Sequence, residues 1–120
     1  MKIAYFDCTS GISGDMTLGA LADAGVDLAA IQAGIDSLGL PSCRLASEEV
    51  KRHGFRATKV TVEHEPEHAH RHLHHITDMI DGSSLTGSQK ELAKRIFTRL
   101  GESEAKVHGT TIRKVHFHEV

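Results

Sequence analysis

The chain is poor in aromatic residues and in cysteine. Aromatic residues make up 4% of its 120 residues and tryptophan is absent, so aliphatic side chains must do most of the packing. Its two cysteines, Cys8 and Cys43, show no CxxC spacing, and without a secretory signal a structural disulfide is not expected. No apolar run approaches the roughly 20 residues of a membrane span. The formal net charge of -2 gives no case for binding nucleic acid or an anionic membrane. These absences predict a cytoplasmic protein with neither nucleic acid nor membrane as a partner.

The length is sufficient for one domain with a modest hydrophobic core. The last five residues, HFHEV, have the alternation of a strand, and no polar tail or turn follows them. Because an edge of β structure is normally finished or covered, this ending indicates a piece of a longer polypeptide. We therefore expect residues 1–120 to form a single domain of a longer protein.

Histidine, in contrast, is concentrated in one stretch. Residues 63–76 read EHEPEHAHRHLHHI and contain six of the ten histidines in the chain. Neutral imidazole is a good ligand for nickel, copper, zinc and iron, and the interspersed glutamates favour a divalent cation. The stretch predicts a histidine-rich loop that binds a transition metal, although its spacing does not specify nickel. The candidate metal ligands are His64, His68, His70, His72, His74 and His75.

Two backbone geometries would allow these histidines to share a metal ion. On a helix, His68 and His72 lie one turn apart, as do His70 and His74; in an extended segment, alternate histidines face one way. The alternative is a polar loop whose imidazoles contact only solvent and acidic side chains. Metal capture is the favoured interpretation because the histidines are so dense.

Hydrophobic periodicity and turn signals predict eight elements in the order β-α-α-β-β-α-α-β. In chain order we expect strand 2–7, a helix beginning near Ser13, a helix capped by Asp27, strands 44–52 and 55–64 joined at His53-Gly54, a helix with Leu73, Ile76 and Ile80 on one face, a long helix introduced by a Thr86–Gln89 capping box, and strand 112–120. This order is typical of an α/β protein, a layered α/β sandwich with a mixed or antiparallel sheet.

The two last elements carry predictions about which side chains are buried. Helical spacing places Leu92, Ile96, Leu100 and Val107 on one face of the long helix, which we expect to lie inside. In the last strand, alternation puts Val115 and Phe117 on one face and the flanking histidines on the other.

The end of the chain holds a second candidate cluster. His116 and His118 lie on one face of the predicted strand and Glu119 follows them, which suggests a second metal site or a substrate-binding site. The alternative is surface decoration of a half-buried strand. Strands hold functional histidines more rigidly than loops do.

A turn near the start of the chain is the third candidate. Residues 7–15 read DCTSGISGD, and a strand, a turn of small residues and a helix N-terminus together offer backbone N–H groups to an anion such as phosphate. Two carboxylates of the turn could instead flank Mg²⁺ or Mn²⁺, and the simplest alternative is a tight turn that needs only small residues and a cap. The turn is no Walker loop, since no lysine follows its second glycine. Its candidate binding residues are Asp7, Ser10, Gly11, Ser13, Gly14 and Asp15.

Three segments together resemble one known family. FDCTSGISGDMTLGALADAG near the start, HAHRHLHHI in the middle and EAKVHGTTIRKVHFHEV at the end are similar to the amino-terminal region of the LarC-type nickel-insertion proteins. The resemblance covers essentially the whole chain, in the right order. The first and last segments are more specific than the histidine-rich run.

The resemblance implies a chelatase of the lyase class that acts in nickel-pincer cofactor biosynthesis. Such a protein inserts Ni²⁺ into pyridinium bisthiocarboxylic acid mononucleotide, forming metal–carbon and metal–sulfur bonds in a CTP-dependent reaction that uses Mn²⁺ or Mg²⁺. A carboxy-terminal domain, associated with CTP binding and homo-oligomer formation, would then be a partner of this region, and the region alone is expected to be inactive. Loss of a ring proton requires a base, for which the choices are His116, His118 and Glu119.

Two rival functions belong to other classes. The first is a nickel metallochaperone or storage module without chemistry of its own, for which the histidine tract would be the whole function. The second is a phosphate-ester hydrolase that uses the turn at Asp7. Haloacid dehalogenase phosphatases also have an aspartate at the end of a strand, but the second aspartate of their DxD pair is Thr9 here.

Overall fold

The computed structural model describes residues 3–65 and 71–117. These residues form helices and short antiparallel sheets, which confirms the mixed α/β class. The elements are α1 Gly14–Asp23, α2 Leu28–Asp36, β1 Cys43–Arg52, β2 Phe55–His64, β3 Arg71–His72, α3 Leu73–Gly82, α4 Gly87–Val107 and β4 His116–Phe117. From the first helix onwards their order agrees with the predicted one except for β3, a two-residue strand that was not predicted.

The first half of the fold is built on a β-hairpin. β1 and β2 pair antiparallel along their whole length, from Cys43 opposite His64 to Arg52 opposite Phe55. The turn between them is the predicted one, and its His53 and Gly54 both have positive φ, at 49° and 86°. Val60 in the middle of β2 is buried at 2% exposure. A long two-stranded ribbon is not stable alone, so it needs the helices that pack on it.

The predicted caps begin the first two helices. The Ser13 hydroxyl accepts the Met16 N–H at the start of α1, and the Asp27 carboxylate accepts the Ala29 N–H at 2.9 Å at the start of α2. α2 is joined to β1 by Gln32, whose side-chain amide donates to the Cys43 carbonyl and accepts from the Leu45 N–H, both at 2.8 Å. The helices are thereby fixed to the hairpin by specific hydrogen bonds.

The second half of the fold contains the main hydrophobic core. α3 and α4 pack against each other, and the short strands β3 and β4 pair antiparallel beside them. The buried cluster consists of Ile76, Ile80, Ala105, Val115 and Phe117. The prediction that Ile76 and Ile80 share a buried helix face is confirmed. Val115 and Phe117 are both buried, as predicted, but the strand expected over 112–120 was wrong in its described part, because residues 112–114 form a turn and only His116–Phe117 pair as β4.

The prediction for α4 was wrong about its buried face. Leu92 and Ile96 are exposed, at 50% and 59%, and the same holds for Leu100 and Val107. The face that packs on the core is the neighbouring one, formed by Ala93, Phe97, Gly101 and Ala105. Two stripes at helical spacing lie side by side on α4. The one with smaller residues faces inward because it lets the helix approach closely.

Gly101 shows how close that approach is. A Cβ atom added to it would lie 3.3 Å from Ile112 Cγ1 and 3.5 Å from the Phe117 ring. A glycine in a helix interior is destabilising by itself, but here the missing side chain allows α4 to pack on the core.

The predicted first strand is also absent from the described residues. Ile3 and Tyr5 are 84% and 90% exposed, and residues 3–7 pair with no strand. A strand requires a partner for its backbone hydrogen bonds, and here β1 pairs with β2 and β3 with β4. The composition of the apolar run is typical of a strand, but composition does not supply a partner.

Among the described residues, no helix has both the length and the apolar character that crossing a membrane requires.

Candidate metal centre

The pairing of β3 with β4 joins two predicted histidine clusters. In this two-residue ladder His72, from the histidine-rich stretch, lies directly opposite His116, from the end of the chain. Its neighbouring pair is Arg71 with the buried Phe117, so the core holds the ladder in register. The sequence suggested two separate sites, and the fold places described members of both side by side.

Four imidazoles gather at this ladder. The His72 ring centroid lies 5.7 Å from that of His74, 5.6 Å from that of His75 and 6.3 Å from that of His116. Two imidazoles that bind one ion at about 2.1 Å have ring centroids about 4.5–6.5 Å apart, depending on the angle at the metal. The separations from His72 lie in that range.

His72 is held in one tautomer. Its Nδ1 lies 2.7 Å from the carbonyl oxygen of Val115, and a carbonyl can only accept, so Nδ1 carries the proton. In the neutral ring the lone pair is then on Nε2, where a metal would replace the His75 backbone N–H that the His72 side chain accepts in the capping box of α3. A backbone carbonyl on the other ring nitrogen is a common way in which proteins orient a metal-binding histidine.

His75 has the opposite arrangement. Its Nδ1 accepts the backbone N–H of His72 at 3.2 Å, where His72 is the N-cap residue of α3. The lone pair of the neutral His75 ring is therefore used at Nδ1, and its proton is on Nε2. This histidine acts as the third-position partner of a capping box, a role usually filled by Glu or Gln.

The cluster is close but not yet arranged around an ion. In the ranges 3–65 and 71–117, no group of three or more His, Cys, Asp or Glu side chains has the geometry to hold a metal. The rings of His72 and His74 are nearly parallel, at 9°, rather than convergent. His74 is exposed and His116 is half-buried, so rotation of exposed rings around the fixed His72 is the change that binding requires.

The other predicted metal ligands lie elsewhere. His64 is exposed at the end of β2, in the other sheet, with its Nδ1 3.2 Å from the Glu65 carbonyl oxygen. His68, His70, His118 and Glu119 lie outside the described residues. The described part of the histidine-rich stretch is the end of β2, all of β3 and the first turn of α3.

The turn before α1 has the predicted local form, and all six of its candidate residues are exposed. Gly11 has a φ of 80°, which only glycine adopts freely. The Ser13 hydroxyl donates to the Asp15 carboxylate, and this bond, with the Met16 N–H, lowers the pKa of Asp15 below its usual range. The turn therefore presents an ionised carboxylate at the N-terminus of α1, and its role in binding an anion or a cation stays a prediction.

Comparison with known proteins points to one family. A family model described as nickel insertion protein matches residues 4–120. No solved structure matches the chain.

Individual relatives are similar along the whole chain. A protein from Rhodopirellula baltica, provisionally named a nickel insertion protein, is 60% identical over 120 residues, which is 99% of this chain and 30% of that protein. A Desulfitobacterium hafniense protein named pyridinium-3,5-bisthiocarboxylic acid mononucleotide nickel insertion protein is 49% identical over 120 residues, covering 100% of this chain and 30% of that protein. The chain thus spans about 30% of the length of the curated relatives it matches.

Proposed function

This chain belongs to the nickel insertion protein family. From that membership we propose that it handles nickel for insertion into pyridinium-3,5-bisthiocarboxylic acid mononucleotide. This compound appears in the name of the Desulfitobacterium hafniense relative. Nickel is here the ion delivered, not a resident cofactor. The full reaction belongs to a longer protein of the kind that these relatives represent.

The observation that carries this proposal is the pairing of His72 with His116. It brings the histidine-rich stretch against His116, and the Val115 carbonyl holds the His72 ring in one tautomer. Imidazole nitrogens suit Ni²⁺. If the His72 ring is fixed and the neighbouring imidazoles must rotate to bind, the site would release Ni²⁺ readily. Such release is needed when Ni²⁺ is delivered to a sulfur ligand.

His72 is the proposed anchor of the site, with His74 and His116 as the rings that complete it. We propose that other histidines of the histidine-rich stretch bind further nickel and pass it to this site, namely His64, His68 and His70. His75 is assigned to the helix cap instead, since its Nδ1 is occupied.

Metallation of a ring carbon also needs a proton acceptor. His116, His118 and Glu119 are the candidates, and His116 cannot accept a proton at the nitrogen that holds nickel. We therefore assign the base to His118 or Glu119 when His116 is a ligand.

CTP with Mn²⁺ or Mg²⁺ is proposed to bind in the polypeptide that a longer protein adds to this span. The turn formed by residues 7–15 is proposed to receive the phosphate of the mononucleotide, because it offers backbone N–H groups at a helix N-terminus. Contact with a carboxy-terminal domain, homo-oligomer formation and a cytoplasmic location are proposed with it, on the family resemblance.

Nickel titration tests the site. Isothermal titration of the chain with Ni²⁺ is expected to give an affinity that falls more than about tenfold in His72→Ala and in His116→Ala, because each removes a ligand. His108→Gln is the matched control, since it removes an imidazole that lies at the C-cap of α4 and pairs with Glu104. Unchanged affinity in a His72→Ala/His116→Ala double variant would contradict the assignment.

A chimera separates nickel insertion from nickel storage. This chain replaces the matching 30% of the Desulfitobacterium hafniense relative, and nickel incorporation into the pyridinium mononucleotide is measured with nickel in excess. The insertion role predicts that His72→Ala abolishes incorporation even when nickel is abundant. A storage role predicts that excess nickel restores it.

A further inference from the structure

A small cavity opens beside the histidine ladder. It has a volume of about 190 Å³ and is lined by Leu73, His74, Thr77, Ile112 and Arg113. These residues come from the first turn of α3 and from the turn that leads into β4, which are the two segments that the ladder joins. We propose that this cavity binds the planar, anionic ring of the nickel acceptor, an aromatic ring bearing carboxylate or thiocarboxylate groups; the assignment rests on the proposed function.

The size of the cavity fits a single substituted ring. A cavity of about 150 Å³ in another protein binds benzene, so about 190 Å³ admits a six-membered ring with small substituents. The sugar phosphate of a mononucleotide would extend outside. Leu73 and Ile112 are half-buried and offer apolar surface to the faces of such a ring.

The charge of the cavity selects an acid. Arg113 is exposed at its edge, and among the described residues no salt bridge involves it. A guanidinium matches a carboxylate or thiocarboxylate with two parallel hydrogen bonds. Lys114, the next residue, adds positive charge nearby, whereas none of the described residues that line the cavity is acidic.

His74 connects the cavity to the metal cluster. It lines the cavity and also stacks at 5.7 Å from His72, the proposed anchor of the nickel site. The same ring can therefore face a bound acceptor or turn towards the ion. An acceptor bound in the cavity would be separated from the metal only by the His74 side chain. Transfer of nickel to the acceptor requires the two to be this close.

Binding of pyridine-3,5-dicarboxylate to the metal-free chain tests the inference. This probe has the ring and two anionic groups without a nucleotide. In ¹H–¹⁵N NMR titrations we expect saturable shifts at the amides of Leu73, Thr77 and Ile112. Arg113→Gln should weaken binding about tenfold, because one charge-assisted contact is lost. Lys114→Gln is the matched control, expected to stay within about twofold.

A neutral probe separates charge from shape. 3,5-Dimethylpyridine has the same outline without the carboxylates, and we expect it to bind more weakly than the diacid and to be insensitive to Arg113→Gln. No saturable shift at the cavity up to the solubility limit of the diacid, or equal diacid affinity in the wild type and Arg113→Gln, would overturn the inference. Since Arg113 is exposed, the spectrum of its variant should show an intact fold.

Nickel titration of the same samples keeps the two proposals apart. If nickel binding depends on His72 but the diacid does not bind, the cavity assignment is overturned and the proposed function stands. Diacid binding without nickel binding would overturn the nickel site, and with it the reason for calling the ligand a nickel acceptor.

Discussion

Two histidines three positions apart have opposite roles at the ladder. His72 donates from Nδ1 to the Val115 carbonyl and is the proposed nickel anchor, whereas His75 uses its lone pair to cap α3. We expect His75→Asn to keep nickel affinity within about threefold, because an asparagine oxygen can still accept the cap N–H. His72→Asn should lose more than about tenfold. Isothermal titration measures both, and an equal loss in both variants would place His75 among the ligands.

Asp23 fixes α1 to β2 through one carboxylate. It accepts the Thr58 hydroxyl and the Arg56 guanidinium, both at 2.8 Å, and these bonds lower the pKa of Asp23 below its ordinary value of 3.8. A lowered pKa in the folded state stabilises the fold above pH 3.8, and that contribution is lost as the pH falls through the folded value.

Asp23→Asn should therefore be less stable than the wild type at pH 7, and the two should converge towards pH 2. Thermal unfolding followed by circular dichroism between pH 7 and pH 2 measures this difference. Asp78→Asn, which changes an exposed carboxylate on α3, is the control and should leave the shape of the profile unchanged. A constant difference between wild type and Asp23→Asn across this range would refute the linkage.

The residue-level part of the site was only partly predictable. The sequence identified His72, His74 and His116 as candidates, but it could not assign their nitrogens. The tautomer of His72 depends on the carbonyl of Val115, 43 positions away. The capping role of His75 could have been predicted, because it lies three residues after the N-cap residue of α3. The many neighbouring histidines favoured a metal-ligand interpretation instead.

Helix α1 depends on a glycine for its contact with β2. A Cβ atom added to Gly19 would lie 2.7 Å from the backbone carbonyl oxygen of Thr58, which cannot move without disturbing the hairpin. We expect Gly19→Ala to destabilise the fold by about 1–2 kcal/mol, since overpacking exceeds the gain in helix propensity. Gly87→Ala meets nothing within 4 Å and should stabilise by about 0.5 kcal/mol. Urea unfolding measures both, and a stabilised Gly19→Ala would contradict this contact.

Adjacent residues of α4 test which face is buried. Phe97 packs on the core and meets Phe117 edge-to-face at 6.3 Å, whereas Ile96 is 59% exposed. Phe97→Ala should cost about 2–3 kcal/mol, because a half-buried ring is removed. Ile96→Ala should cost less than about 1 kcal/mol. Urea denaturation of this chain gives both values, and the reverse ranking would restore the face that periodicity alone predicted.

Elements were predicted better than their orientations. The caps at Ser13, Asp27 and Thr86 and the hairpin turn are local signals, and all four appear where the sequence placed them. The rotation of α4 is set by what it packs against. Hydrophobicity favoured the larger stripe, but the fold selected the one whose Gly101 allows contact with Ile112.

At the scale of the whole molecule, pairing between distant segments was the part that sequence could not supply. The apolar run over 3–7 has no strand partner among the described residues, whereas two short segments, Arg71–His72 and His116–Phe117, pair although neither resembles a long strand. That second pairing merges two predicted clusters into one candidate site. Composition suggested metal chemistry, and only tertiary structure could show that His72 and His116 lie opposite each other.

Because the ladder connects α3 to the end of the chain, a metal bound there should stabilise the entire second half of the fold. Ligand at 100 times its dissociation constant adds about 2.7 kcal/mol to stability when it binds only the folded state. For a domain of this size that corresponds to a rise of roughly 10 °C in Tm. We expect Ni²⁺ to raise Tm by up to this amount and EDTA to reverse the rise.

The histidine-rich stretch would also bind nickel in the unfolded chain, which reduces the observed shift. The decisive comparison is therefore between variants at equal nickel. His116→Ala removes a ligand contributed by β4, so nickel can no longer connect the two segments and most of the rise should disappear. His64→Ala leaves the ladder intact and should keep the nickel-induced rise in Tm, since His64 lies in the other sheet. Equal shifts in the two variants would mean that nickel binds the tract without connecting it to β4.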